Sequence, residues 1–169
     1  MTDPLRPTTN CVNCGAPLTK DDTHDGLTCG HCGTLNEPIA APVGLDIGPV
    51  TDTHCPSCAS PLCDSRLEGI PLLFCRGCQG MLVAIPRFVS VIDAARMQEP
   101  PGVAAVLPRR QAPGERTLVC PSCHGPMLSH IYGGPGNLVL DTCERCQRNW
   151  LDGGELRRIA RAPDGRRDT

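Results

Sequence analysis

Twelve of the thirteen cysteines fall in C-x-x-C pairs, and the pairs form three couples: Cys11/Cys14 with Cys29/Cys32, Cys55/Cys58 with Cys75/Cys78, and Cys120/Cys123 with Cys143/Cys146. The intervals within the couples are 14, 16 and 19 residues. That is the ligand spacing of a closed Cys₄ site. A C-x-x-C turn aims two sulfurs at one metal, and a second turn across a hairpin completes a tetrahedron. Thiolate softness selects zinc, or iron where it is available. A rubredoxin-like iron site uses similar turns, but the aromatic core of that fold is missing. The spacing therefore predicts three structural zinc ions, with all twelve paired cysteines as ligands.

These ligands have to be held by small elements. The chain of 169 residues has only four aromatics, Phe74, Phe88, Tyr132 and Trp150, against 18 Pro and 18 Gly. Modules too small to bury a large apolar core are usually held by metal or disulfides. The expected fold class is therefore a set of small metal-stabilised modules. These are zinc ribbons, β-hairpins with two Cys turns, linked by Pro/Gly-rich segments and standing as three units rather than one globule. The expected boundaries are an N-terminal ribbon at 8–36, a linker at 37–53, and a second ribbon with a helix at 54–97. A second linker at 98–117, a third ribbon with a short helix at 118–162 and a tail at 163–169 follow.

Aligned on their first Cys turn, the units read CVNCGAPL, CPSCASPL and CPSCHGPM. Pro17, Pro61 and Pro126 occupy one place, each followed by an apolar residue. Hairpins are expected between the turns, with Glu68-Gly69 as the connection in unit two and GGPG in unit three. In unit two, Phe88, Val91, Ile92 and Ala95 recur at helical spacing, with Pro86 in the first turn. In unit three, Asp152 and Glu155 read as a capping box ahead of Leu156, Ile159 and Ala160. The linkers 37–53 and 98–117 read as extended spacers with limited packing. The apolar GVAAVL at 102–107 reads as spacer, with a partner-binding role as the alternative.

Charge narrows the partners. The net charge is −2 and the pI about 6.2, which is not the overall footprint of a nucleic-acid binder. Basic residues cluster late, at Arg157, Arg158, Arg161, Arg166 and Arg167. The N-terminus lacks the basic and apolar regions of a secretory signal, and no long apolar run suggests a membrane span. An odd cysteine count and paired C-x-x-C turns suit a reducing cytoplasm and metal rather than disulfides. Cys63, the unpaired thirteenth, reads as a small buried hydrophobe, with a spare ligand or redox thiol as the sharper alternative. His24, His31, His54, His124 and His130 are read as surface groups or as groups behind the ligands.

Unit three also carries the string CPSCHGPM, DTCERC, NWLDGGEL. It resembles the bacterial zinc-ribbon family named after general transcription factor IIB. The match rests on Cys120, Pro121, Cys123, Asp141, Cys143, Cys146, Trp150, Leu151, Asp152, Gly154, Glu155 and Leu156. It departs at Arg148, where the family has Gly, and in the longer GGPG turn. Unit two resembles a degenerate copy. It keeps four Cys and Gly80, with Leu82 for the Trp, Ala84 for the Asp and Arg87 for the Glu. Unit one resembles only a generic zinc ribbon. The resemblance implies a ribbon fold and zinc binding; ribbon folds host many roles.

No catalytic motif stands out, and four Cys per site leave no open coordination position, so no enzyme and no small-molecule substrate are expected. The leading expectation is a protein-interaction adaptor. The alternatives are a nucleic-acid or transcription-machinery binder, supported by the Arg-rich end, and a zinc-thiolate redox sensor.

Overall fold

The computed structural model describes residues 16–17, 27–32, 35–36, 41–99, 117–132 and 139–162. Cys11 and Cys14 of unit one, the linker residues 37–40 and 100–116 with GVAAVL, the GGPG turn and the tail 163–169 lie outside the described residues. In unit one, β1 (Leu27–Thr28) pairs antiparallel with β2 (Leu35–Asn36) on either side of the Cys29/Cys32 turn.

The remaining strands are β3 (Leu45–His54), β4 (Pro61–Leu67), β5 (Ile70–Cys75), β6 (Met81–Ala84), β7 (Leu128–Ile131), β8 (Val139–Cys143) and β9 (Arg148–Leu151). They build one seven-stranded sheet in the order β3-β4-β5-β6-β9-β8-β7, antiparallel at every pairing. Helix α1 (Phe88–Gln98) follows β6 after a single 3₁₀ turn containing Pro86, and α2 (Glu155–Arg161) follows β9.

The β4–β5 hairpin shows how local chemistry sets register. Glu68 and Gly69 both take left-handed backbone angles, φ 46° and 81°, and Leu67 pairs with Ile70 across them. A two-residue connection of that handedness matches the twist of its flanking strands. The expected helical face in unit two is also present: Phe88, Val91, Ile92 and Ala95 are buried on α1.

Two expectations are corrected. The linker 37–53 was expected to be a spacer with limited packing, yet residues 45–53 belong to the ten-residue strand β3, paired to β4 from Leu45↔Leu67 to His54↔Pro61. Its pairing shifts between Ile47 and Val50 and again between Val50 and His54. It lies at the sheet edge, where Pro49 and two irregularities are tolerated because one side needs no ladder partner. Units two and three were expected as separate modules, yet β6 and β9 pair over Met81↔Leu151, Leu82↔Trp150, Val83↔Asn149 and Ala84↔Arg148. Four-residue strands cannot stand alone in water, and joining the four-stranded half β3–β6 to the three-stranded half β7–β9 gives each a neighbour.

Side chains alternate across this sheet and divide the interior in two. On one face Leu67, Leu72, Phe74, Met81, Val83, Leu140 and Leu151 pack under α1 and α2 with Val91, Ile92, Leu156 and Ile159. On the other face Leu62, Leu82 and Trp150 pack with cysteines of units two and three. Phe88 of α1 meets Tyr132, just beyond β7, edge to face at 5.7 Å. The helices are clamped at one end by Glu99, which follows α1 and accepts from Arg157 Nε at 3.1 Å and from Arg161 Nε. The Arg161 side chain is only 10% exposed. Glu99→Ala removes both charge-assisted bonds and leaves Arg161 largely buried, so we expect a loss of about 2 kcal/mol in metal-bound protein. Urea unfolding measures it, and a change indistinguishable from zero would contradict the clamp.

Candidate metal centres

Each described Cys turn of units two and three is shaped by the same backbone device. The residue after the second cysteine takes a left-handed conformation: Ala59 (φ 61°), Gln79 (φ 63°), His124 (φ 58°) and Gln147 (φ 53°). Its N–H returns to the first cysteine's carbonyl in Ala59→Cys55, Gln79→Cys75 and His124→Cys120, at 2.8–2.9 Å. The first cysteine's own N–H donates to Ser60, Gly80 and Gly125 in the same three turns. These bonds leave inner N–H groups aimed at sulfur: Ser57 N and Cys58 N donate to Cys55 Sγ, and Cys146 N donates to Cys143 Sγ, each at 3.4 Å.

The turns meet in two cages. Cys55, Cys58, Cys75 and Cys78 place their sulfurs within 4.8 Å of one another, as do Cys120, Cys123, Cys143 and Cys146. Sulfurs from facing turns approach to 3.5 Å (Cys55–Cys78), 3.4 Å (Cys58–Cys75) and 3.6 Å (Cys123–Cys143). A disulfide would need about 2.05 Å. A tetrahedral ion with bonds of about 2.3 Å to sulfur has S–S edges of about 3.8 Å, close to these separations. The donor set and spacing therefore fit a metal that prefers four thiolates.

Crowding polarises the thiols in each cage. Cys75 is held far below the usual thiol range, first by its hydrogen bond with Cys55 and then by Cys78. Cys78 is pushed up, chiefly by Cys55 and then Cys75. In the other cage Cys123 is drawn down to about 7, first by the Gly125 N–H and then by Cys146, while Cys146 is pushed up to about 12, chiefly by Cys123. Neighbouring protons stabilise one thiolate in each set. A divalent cation would take over that role for all four.

Behind the cages stands Trp150, 1% exposed and packed in one cluster with Cys55, Cys75, Cys120, Cys143, Leu82 and Met127. Its ring lies on Gly80, two residues past Cys78. A methyl group at Gly80 would collide with the Trp150 ring and stand 3.1 Å from the Leu151 carbonyl oxygen. Gly80→Ala is expected to cost about 1–3 kcal/mol by overpacking. Thermal unfolding with metal bound checks it, and an unchanged midpoint would contradict the contact.

Asp152 does a different job from the one expected. The start of α2 has no side-chain cap; Gly154 takes the cap position with φ 87°. Glu155 Oε2 does accept from the Asp152 N–H at 2.9 Å, which is one half of a capping box. The Asp152 carboxylate instead accepts from Trp150 Nε1 at 3.0 Å and from Ser57 Oγ at 3.3 Å. Ser57 lies inside the Cys55/Cys58 turn, so a unit-three side chain reaches the unit-two cage. Sequence reasoning missed this bond because 95 residues separate the partners. On unit three's own hairpin, Asp141 accepts from Ser129 Oγ.

The other candidates are placed as follows. In unit one Cys29 is buried and Cys32 exposed; their expected co-ligands Cys11 and Cys14 lie outside the described residues. Cys63 is 1% exposed and opposes Phe74 and Val50 in the sheet. In strand alternation it shares a face with Ser65 and Leu67, whereas Leu62 faces the cages, so it is no spare ligand for them. His31, His54, His124 and His130 are exposed, and neither cage includes a histidine. Among the described residues no helix is long and apolar enough to cross a membrane. Comparison of the chain with family models, curated proteins and solved structures finds no match.

Proposed function

We propose that the chain is a zinc protein with three Cys₄ ribbons whose metals are structural, and that it serves as a protein-interaction adaptor rather than an enzyme. The observation that carries the zinc reading is the pair of all-cysteine cages, each with its sulfurs within 4.8 Å and no oxygen or nitrogen ligand among them. Zinc bound there would hold the Cys turns together and close the hairpins between them. A closed thiolate set leaves no position for substrate or activated water. The third ion falls to Cys11, Cys14, Cys29 and Cys32.

Membership of units two and three in the transcription-factor-IIB-type ribbon family is part of this proposal. Its support is a shared plan. In each unit one Cys turn precedes the first hairpin strand, a second joins its last strand to the next, and a helix follows. Leu82 and Trp150, which align in the two sequences, face each other across β6–β9.

The adaptor reading draws on the state of the arginines. Arg157 and Arg161 bind Glu99, and Arg158 binds Glu155, so three of the five clustered cations are already engaged inside the fold. Fluorescence anisotropy with duplex DNA and single-stranded RNA at low salt tests this. We expect no salt-steep binding. A steep linear fall of log affinity with log salt would replace the adaptor with a nucleic-acid binder.

X-ray absorption at the zinc edge tests the sites. We expect four sulfurs at about 2.3 Å and no light-atom ligand. Oxygen or nitrogen in the shell would contradict closed sites. The redox-sensor reading keeps one favourable observation, the exposure of Cys58. Cys63, buried in the sheet, is not the thiol that would react first.

A further inference from the structure

The two cages share one interior. A single buried cluster contains Cys55 and Cys75 of one and Cys120 and Cys143 of the other, with Leu62, Leu82, Leu118, Met127 and Trp150 between them. The strands of the β6–β9 seam also leave directly from the cages. Met81 is three residues past Cys78, and Arg148 is two past Cys146. Three contacts cross the seam beside the ligands: Trp150 on Gly80, the Ile85 N–H to the Gln147 carbonyl at 2.9 Å, and Ser57 Oγ to Asp152.

We propose that the two cages are thermodynamically coupled through this seam, so that metal in one raises the affinity of the other. The inference rests on the zinc reading above. A filled cage fixes the Cys turn from which its seam strand starts. An empty one lets that turn fray, and the facing strand loses ladder bonds and the cover of Trp150. The first ion therefore bears most of the cost of ordering the seam, and the second binds a seam already ordered. Such coupling is reciprocal: each cage must strengthen the other by the same factor.

The test uses the full chain, with zinc as probe under reducing, air-free conditions. Cys143→Ser with Cys146→Ser disables the unit-three cage, and Cys75→Ser with Cys78→Ser disables the unit-two cage. Chelator competition reads the affinity of the surviving cage. Its protection from N-ethylmaleimide, at Cys75 and Cys78 or at Cys120 and Cys123, reports occupancy site by site. We expect each surviving cage to weaken by about 5- to 150-fold, equally in the two directions. Unchanged affinity in either direction overturns the coupling. Where a double variant aggregates, Trp150→Leu carries the test with every ligand in place. The unit-two cage, all of whose ligands lie in the other unit, is then expected to weaken at least about fivefold, and an unchanged unit-two cage overturns the proposal. A wild-type chain that takes up zinc at neither cage would instead overturn the zinc reading.

Discussion

Cys75→Ser is expected to cost the chain one metal ion and the ordered state of its unit-two hairpin. Cys75 ends β5, is fully buried, and stands 3.4 Å from Cys58 across the cage. A serine hydroxyl does not ionise near neutral pH, so the site falls to three thiolates. Structural zinc contributes about 10–16 kcal/mol in small zinc-finger peptides, as large as a domain's usual net stability of about 5–15 kcal/mol. Losing even part of that should expose the β4–β6 backbone. Elemental analysis should find one metal fewer per chain, and hydrogen exchange should show β4, β5 and β6 losing protection. Because β6 pairs with β9, the loss should reach Arg148–Leu151. An unchanged metal count, or unchanged protection, would contradict the role given to this cage.

The second large effect is expected at Trp150. It is the chain's only tryptophan, buried between the cages, with its ring on Gly80 and its indole N–H on Asp152. Trp150→Ala empties a large, close-packed volume and removes the indole donor from the Asp152 carboxylate, for an expected loss of about 3–5 kcal/mol. Trp150→Leu should cost less, since the Leu82 opposite shows that the seam accepts a smaller side chain at the aligned place. Chemical denaturation of the metal-bound variants measures both. Trp150→Ala at wild-type stability would remove Trp150 from the core of the account.

The two cysteine cages were legible because paired C-x-x-C turns write themselves into short, fixed spacings. C-x-x-C needs only local backbone geometry, and the left-handed residue after each turn of units two and three is the local device that makes it. Glu68-Gly69 and the Phe88–Ala95 stripe were legible for the same reason: a two-residue turn and a helical face are set by neighbours in sequence. Strand β3 was not. Its sequence, LDIGPVTDTH, carries the Gly, Pro and Asp that mark a linker, and it becomes a strand only because an edge position tolerates them. The seam was hidden too. MLVA and RNWL are four residues each, too short to carry a period, and their pairing is decided by what two incomplete sheets gain on meeting. Asp152 was read as a helix cap because its local pattern fits one; its carboxylate follows a tertiary partner instead.

All of this depends on closed all-cysteine sites holding zinc. The most direct test is native mass spectrometry of the full chain, purified without air and without added metal, with the bound metal identified. The account predicts three zinc ions per chain. It predicts two when Cys11 and Cys14 are both replaced by serine, because the two cages of the shared sheet are untouched. Iron in the cages, fewer than three metals per wild-type chain, or cysteines joined as disulfides would contradict it.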